Sequence, residues 1–350
     1  MVSENTVTFT KAELLAFVSS LFVAAGVASD IADEWAGILV WANLRGVDSH
    51  GVIRIPRYLD LLRRKTINTA PNIRVEKRAG AISIMEADRA PGVIAMARAM
   101  EEAIARAREV HVGWCAARNV THTGAVGYFA LMAAEAGMAG IATGASSPMM
   151  AYHGARVAGV SSNPLAIAVP GKKRRPLVID ISTANVAMGK ILAARDAGRD
   201  VPVGWGIDTE GRDTTDPKQI ATLLPLGGPK GSGLSLLIEC LVSLAVGNPL
   251  VARALIEKNL ADNPVQNGLA IALDLSVFGD LDHFTEEVDR LGDAITALPR
   301  AEGVNRIFLP GERGNAVMAE REVKGIPIPK GTWNRIVAAA KSVGVEPLRS

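Results

Sequence analysis

Apolar positions along the first twenty-odd residues follow a helical period. Leu14, Phe17, Val18, Leu21 and Phe22 fall on one face, the spacing of an amphipathic helix. Thr10-Lys-Ala-Glu13 precedes them with the pattern of a capping box. Ser29 can cap a second helix through IADEWAGILVWANLRG, which Gly46 ends. A third is expected from near Ser49, with Pro56 tolerable only in its first turns or at a kink. Beyond Lys65 the period shortens. IRVEKR, AISIMEA, VGWCAAR and AGIATGAS read as strands, alternating with Ala-rich helices over 93–108 and 125–136. LAIAVP, the turn GKKRRP and LVIDIS read as a hairpin. The polar stretch 204–217 is too long for a simple turn and reads as a loop over a site. A helix over 231–246, a strand LAIALDL, a helix over 282–298 and closing segments through Trp333 complete the pattern. The class expected is α/β or α+β, with helices gathered at the N-terminus.

Composition narrows this picture a little. The 350 residues are 49% hydrophobic and 21% charged, an ordinary globular balance. A net charge of +2 gives no reason to expect a nucleic-acid partner. Cys115 and Cys240 sit in apolar surroundings and read as buried thiols of a reducing compartment. Residues 14–28 resemble the apolar part of an export signal, but Glu4 and Glu13 against Lys11 give the wrong charge before it. No apolar run reaches membrane-spanning length, so a soluble, cytoplasmic protein is expected.

Candidate chemistry is concentrated in GVDSHGVIRIPRYLDLL, residues 46–62. His50, Arg54 and Tyr58 recur every four residues and would share one helix face, where a guanidinium can fork onto a carboxylate. An exposed charged stripe running on to Arg57, Arg63 and Arg64 is the plainer alternative. His122, in RNVTHTGAVGYF, lies between a strand and a helix start, which disfavours its protonated form and suits proton transfer. It could equally be a cap. Asp180 closes PLVID at a strand's C-terminal edge, as a ligand-contacting acid or a helix cap. GGPKGSG, 227–233, is no P-loop, yet glycine N–H groups beside Lys230 could bind an anion. The alternative is a glycine-rich helix start with a surface lysine. The basic run 172–175 reads as a solvated turn. No GxGxxG follows a strand, nothing fits GxSxG, and no HExxH, CxxC or calcium loop is present, so no metal ligand set is expected.

Six motifs, RGVDSHGVIRIPRY, NVTHTGAVGYF, SSNPLAIAVP, DISTANVAMGKI, VPVGWGIDTEGRDTTDP and LPLGGPKGSGLSL, together resemble the type-2 malate/L-lactate dehydrogenase family. That family includes ureidoglycolate dehydrogenase, sulfolactate dehydrogenase, diketogulonate reductase and piperideine-2-carboxylate reductase. The resemblance runs from the first helix to LPGERG at 309–314. It implies an α/β (α+β) chain with a non-Rossmann NAD(P)-binding fold, in keeping with the missing GxGxxG. Residues 1–68, joined by 315–350, would form a helical substrate-side part, and 69–314 an α/β cofactor-binding part. The activity implied is reversible hydride transfer between NAD or NADP and a 2-hydroxy or 2-oxo acid, or a cyclic imino acid.

By match, His122 is the implied acid/base, and Ser49 with His50 a pair that touches substrate or relays protons. Asp180 is a candidate third member, Arg54 the implied carboxylate clamp and Tyr58 a substrate contact. Implied cofactor contacts are His122, Thr123, Gly124, Ala125 and Val126, then Ser146, then Asp180, Ile181 and Ser182, with Lys230 and the turn Gly311, Glu312 and Arg313. A homodimer is implied too. Ser147 stands where some relatives carry an acid, and Ser162-Asn163-Pro164 replaces a TNP, which puts direct transfer of any one member's substrate in doubt. GYF after the histidine loop is most similar to ureidoglycolate dehydrogenase. Two alternatives use the same residues: a C=N reductase of cyclic imino acids, and a non-catalytic nucleotide- or anion-binding protein built on the Lys230 turn.

Overall fold

A computed structural model of the chain describes residues 6–196, 198–257 and 265–349. In chain order its strands are β1 (Thr6–Phe9), β2 (Arg74–Ala79), β3 (Ile82–Glu86), β4 (Val112–Val120), β5 (Met138–Ala145), β6 (Met150–Ala151), β7 (Ala158–Val160), β8 (Pro164–Val169), β9 (Leu177–Ser182), β10 (Gly206–Ile207), β11 (Thr222–Leu223), β12 (Gln266–Asp274) and β13 (Ile326–Pro329). The helices are α1 (Lys11–Ala24), α2 (Ser29–Leu44), α3 (Ile55–Arg63), α4 (Gly92–Val110), α5 (Gly127–Glu135), α6 (Met188–Asp196), α7 (Pro229–Glu239), α8 (Val251–Glu257), α9 (Leu281–Thr296), α10 (Glu312–Lys324) and α11 (Lys330–Ser342).

Seven strands form a mixed sheet in the order β2-β3-β4-β12-β5-β8-β9. β3 and β4 are parallel, and β12 is antiparallel to both β4 and β5. β8 is antiparallel to β5 and to β9. It follows that β3, β4, β5 and β9 all run one way and end at one edge. The loops leaving that edge start at Thr121, Ser146 and Thr183, so three of the sequence's chemical motifs converge there. Ligands of open α/β sheets gather at the carboxyl ends of strands for this reason.

α4 packs on β4 and β12, and α5 on β5 and β8. α1 packs on α2, and α11 on α3. The capping box at α1 is present: Glu13 N–H donates to Thr10 Oγ1 at 3.2 Å and Thr10 N–H to Glu13 Oε2 at 2.8 Å. Leu14, Phe17, Val18, Leu21 and Phe22 are all buried. A four-stranded sheet, β10-β11-β6-β7, has its own small core.

Several local expectations need correction. Ser29 is the first residue of α2 and not its cap; Ala28 stands at that position and makes no side-chain cap. β1 was not foreseen, because its partner β13 lies over three hundred residues away. The 204–217 stretch is loop for most of its length, as expected, but also holds the short β10 and a turn in which Asp208 accepts the N–H groups of Glu210 and Arg212, both at 2.9 Å. α7 begins at Pro229 and passes into a π-helical turn, Cys240–Leu244, before the expected end. Cys115 is buried, but Cys240 is only partly so. Among the described residues no helix is long and apolar enough to cross a membrane, and no group of three or more His, Cys, Asp or Glu could hold a metal.

Candidate active site

The third helix departs from its expected form, and the site depends on the difference. Asp48–His50 and Val52–Arg54 are two separate 3-10 turns, and α3 starts only at Ile55, with Pro56 in its first turn. His50, Arg54 and Tyr58 therefore do not share one continuous α-helical face. Side-chain bonds hold the break open. Asn43, buried in α2, accepts the Val52 N–H at 2.8 Å and donates to Asp48 Oδ1 at 2.7 Å. Arg321 of α10 grips Asp48, with Nη1 2.6 Å from Oδ1. Gly51 makes room: a Cβ there would stand 2.0 Å from Asn43 Oδ1.

The folded turn delivers its side chains to His122. Tyr58 is buried, its ring 5.1 Å from Trp35, which stacks on Phe22 at 4.0 Å. Its hydroxyl lies 2.7 Å from His122 Nδ1. The His50 ring stacks beside His122 at 5.5 Å and 11°, and Ser49 Oγ lies 2.9 Å from His50 Nδ1. Arg54 Nε–H donates to the Ser49 carbonyl at 2.7 Å. Its two terminal nitrogens have no hydrogen-bond partner among the described residues. A largely enclosed guanidinium fork left open in this way suits a carboxylate.

His122 itself is placed by the sheet edge. Gly92 opens α4 so closely against the loop that a Cβ would come within 2.4 Å of the His122 carbonyl. Thr121 accepts the Gly92 N–H and donates to the Ala90 carbonyl, each at 2.9 Å. Thr123 N–H donates to Gln266 Oε1 on β12 at 3.3 Å. Thr123, Gly124, Ala125 and Val126 are all buried and carry the chain into α5.

Burial keeps both imidazoles neutral. The pKa of His50 is lowered to about 3 by burial and then by Arg54. His122 is held well below its ordinary value by burial first, then by Arg54, His50 and Arg57. Burial pushes Tyr58 up to about 12, so the phenol keeps its proton. Arg57, which the sequence placed only in a charged stripe, thus adds to the positive field here.

The remaining candidates occupy other positions. Asp180 lies inside β9 and accepts the Gly127 N–H at 2.9 Å, so it caps α5 and not the segment after Thr183. Its outer edge meets solvent, but the protein packed around the carboxyl raises its pKa, against the Gly127 bond and Arg45. Ser146 Oγ lies 2.5 Å from Ser161 Oγ, and Ser182 Oγ donates to the Ser162 carbonyl at 3.3 Å. Ile181 is half-buried beside it.

The glycine turn before α7 is not a nest of free amides. Pro229 has no N–H; Gly228 donates to Pro225 O at 3.1 Å, Gly231 to Leu226 O at 2.8 Å and Ser232 to Gly228 O at 3.3 Å. What the turn offers is the exposed Lys230 ammonium, which has no side-chain partner among the described residues. Gly311 caps α10 in a left-handed conformation, φ 88°, against Val178 of β9. Glu312 is engaged by Arg174, Arg306 and the Leu309 N–H, whereas Arg313 is exposed. Arg45, not singled out by any sequence pattern, donates to the Gly311 carbonyl at 3.2 Å and to Asn315. A cavity of about 350 Å³ opens around this turn, lined by Arg174, Arg175, Arg306 and Pro310, and His122 does not line it.

Residues 9–337 match the family model described as malate/L-lactate dehydrogenase. The malate dehydrogenase of Pyrococcus horikoshii is 34% identical over 362 aligned residues, covering 99% of this chain and 98% of that protein. The ureidoglycolate dehydrogenase (NAD(+)) of Escherichia coli is 31% identical, covering 90% of this chain and 91% of that protein. The solved structure of the P. horikoshii malate dehydrogenase superposes with a TM-score of 0.90 at 32% identity, covering 99% of both chains. That of delta1-piperideine-2-carboxylate reductase from Pseudomonas syringae gives 0.84 at 29% identity, covering 96% of this chain and 100% of that one. The extent of these matches agrees with the order of motifs and with the sheet: this chain belongs to the malate/L-lactate dehydrogenase family.

Proposed function

We propose that this protein is an NAD- or NADP-dependent oxidoreductase acting at C2 of a small 2-hydroxy or 2-oxo carboxylic acid. The observation that carries the reading is the 2.7 Å approach of Tyr58 hydroxyl to His122 Nδ1 beside the unpaired Arg54 fork. Arg54 holds the substrate carboxylate, and His122 Nε2 exchanges the proton of the C2 oxygen. The bound nicotinamide supplies or takes the hydride.

The roles follow from the electrostatics. In oxidation, neutral His122 accepts the hydroxyl proton at Nε2 while its Nδ1–H donates to the Tyr58 oxygen. Neutral His50, stacked alongside, avoids placing a second cation against the imidazolium. Burial is the first cause of the low His122 pKa and Arg54 the second; a substrate carboxylate on Arg54 offsets that second share, so its binding favours proton uptake by the imidazole. Reduction reverses the transfer.

The residues along the sheet edge fit a dinucleotide. Lys230 and the arginines around the Gly311 turn, which packs on Val178 near the start of β9, offer cations for phosphate oxygens, and Ser146 and Ser182 offer hydroxyls at the strand ends. Asp180, Ile181 and the 311–313 turn are read as cofactor contacts on the same grounds. The helices of 1–68 with 315–350 then form the substrate side, and 69–314 the cofactor side. A homodimer is part of the proposal: Leu237, Leu241 and Leu244 stand 62%, 52% and 49% exposed along one side of α7 and its continuation, an apolar strip of the kind subunit contacts cover.

The test is direct. Purified protein is mixed with NADH or NADPH and a panel of 2-oxo acids, including oxaloacetate, pyruvate and sulfopyruvate, with ureidoglycolate assayed in the oxidative direction. Cyclic imino acids form a separate arm. Loss of reduced cofactor with one or more oxo acids is expected. Activity confined to the cyclic imine would replace the C=O reading by a C=N one. Binding of cofactor without turnover anywhere would favour a non-catalytic nucleotide binder.

A further inference from the structure

DISTANVAMGKI carries no assigned role at its second half, yet its glycine lies against the catalytic turn. Gly189 is in the first turn of α6, and a Cβ built on it would stand 2.8 Å from Ser49 Cβ and 3.6 Å from Ser49 Cα. Side-chain carbons do not approach one another that closely, so something must shift when one is added. Ser49 meanwhile holds two neighbours at once. Its hydroxyl meets His50 Nδ1 at 2.9 Å, and its carbonyl accepts the Arg54 Nε–H at 2.7 Å. α6 is anchored on its far side, where Ile191 is buried with Met150, Val160, Ala184, Val186 and Leu223 in the core of the four-stranded sheet. The small-sheet body therefore meets the catalytic turn through a residue without a side chain. Glycine is a poorer helix former than alanine, so local helix stability gives no reason for it here. The close approach does.

We propose that Gly189 is a positioning residue: its bare α-carbon lets α6 close onto Ser49 and fixes how Ser49 presents His50 and Arg54 to the substrate. The inference rests on the dehydrogenase reading for its kinetic effect, but not for the geometry of the histidine ring. An added methyl group pushes Ser49 away from α6 and loosens both bonds it makes. Displacements of about 1 Å at an active site can cost on the order of a hundred-fold in rate.

The experiment compares Gly189→Ala alone and in a Ser49→Gly background, read by 15N NMR of the histidine rings and by steady-state kinetics. The single variant is expected to shift the His50 ring signals while those of His111 and His283 stay put. Its kcat should fall at least about ten-fold, with cofactor affinity unchanged. In the Ser49→Gly background the same substitution should change kcat by less than about two-fold, because the opposing carbon is gone. Unmoved His50 signals, or equal losses in both backgrounds, would overturn the proposal. A native protein with no turnover on any substrate would count against the dehydrogenase reading, and the ring spectra would still decide the role of Gly189. If the single variant does not fold, a folded double variant supports the contact and an unfolded one refutes it.

Discussion

At the level of single residues, the proposed function treats His122 and Tyr58, whose Nδ1 and hydroxyl lie 2.7 Å apart, as one proton-handling unit. His122→Ala should lower kcat by about 10²–10⁴-fold while cofactor affinity, measured by fluorescence titration, stays within about two-fold. Tyr58→Phe removes the hydroxyl at 2.7 Å from Nδ1 and keeps the ring that packs on Trp35. Its kcat should fall about ten-fold, and a urea melt should show a loss of about 1–3 kcal/mol, because the Nδ1–H is left without its partner. The imidazoles also set a pH signature. Both folded-state pKa values lie below the unfolded value of 6.5, so the unfolded chain binds more protons as pH falls. Stability is complete above 6.5 and is lost as pH drops from there towards about 3. One such group contributes a slope of up to about 1.4 kcal/mol per pH unit. Denaturation midpoints followed from pH 7 to pH 4 should show a shallower fall in His50→Asn than in the native chain. The mixture of acid, hydroxyl, imidazole and guanidinium groups in 46–62 pointed to His50 and Tyr58, because such groups are costly to bury unless they act together, whereas His122 was marked by its place between a strand and a helix start and by the family resemblance. Spacing did not reveal that Tyr58 reaches His122, since the two are 64 positions apart and come from different elements.

The elements show why the local reading succeeded in some places and not in others. α1 was legible because its capping box and apolar face are local and agree with each other. The 46–62 stretch was not, because three distant groups decide its form: Asn43 from α2, Arg321 from α10 and the missing Cβ of Gly51. Helical spacing suggested His50 and Arg54 on one face; the two 3-10 turns bring them into the site by another route. Asp48→Ala should cost on the order of 1 kcal/mol, since Asp48 is partly exposed. It should also lower kcat several-fold, because Ser49 and His50 ride on the same turn; stopped-flow reduction and a urea melt would check both effects. Gly51→Ala is expected to be worse, costing about 1–3 kcal/mol by overpacking against Asn43. The glycine turn at α7 shows the opposite error. Its composition suggested free amides, but the chain folds back on itself and uses them.

Across the whole molecule, the common direction of β3, β4, β5 and β9 gathers Thr121–Val126, Ser146 and Ser182 at one sheet edge. No local pattern encodes that strand order, although the order of family motifs in the chain anticipated the fold as a whole. β1 and β13, the small four-stranded sheet and the Gly189 contact with Ser49 were illegible for the same reason: they are long-range. If the leucines of α7 meet a second copy, Leu237→Glu with Leu241→Glu should convert a dimer to a monomer in light scattering; a native monomer would remove that part of the proposal. The deciding measurement is a crystal structure of the protein with reduced cofactor and oxamate, an unreactive stand-in for a 2-oxo acid. The oxamate carboxylate should sit on the Arg54 fork, with its C2 oxygen about 2.6–3.2 Å from His122 Nε2. Oxamate bound elsewhere, or oriented with its carboxylate away from Arg54 while cofactor occupies the sheet edge, would contradict it.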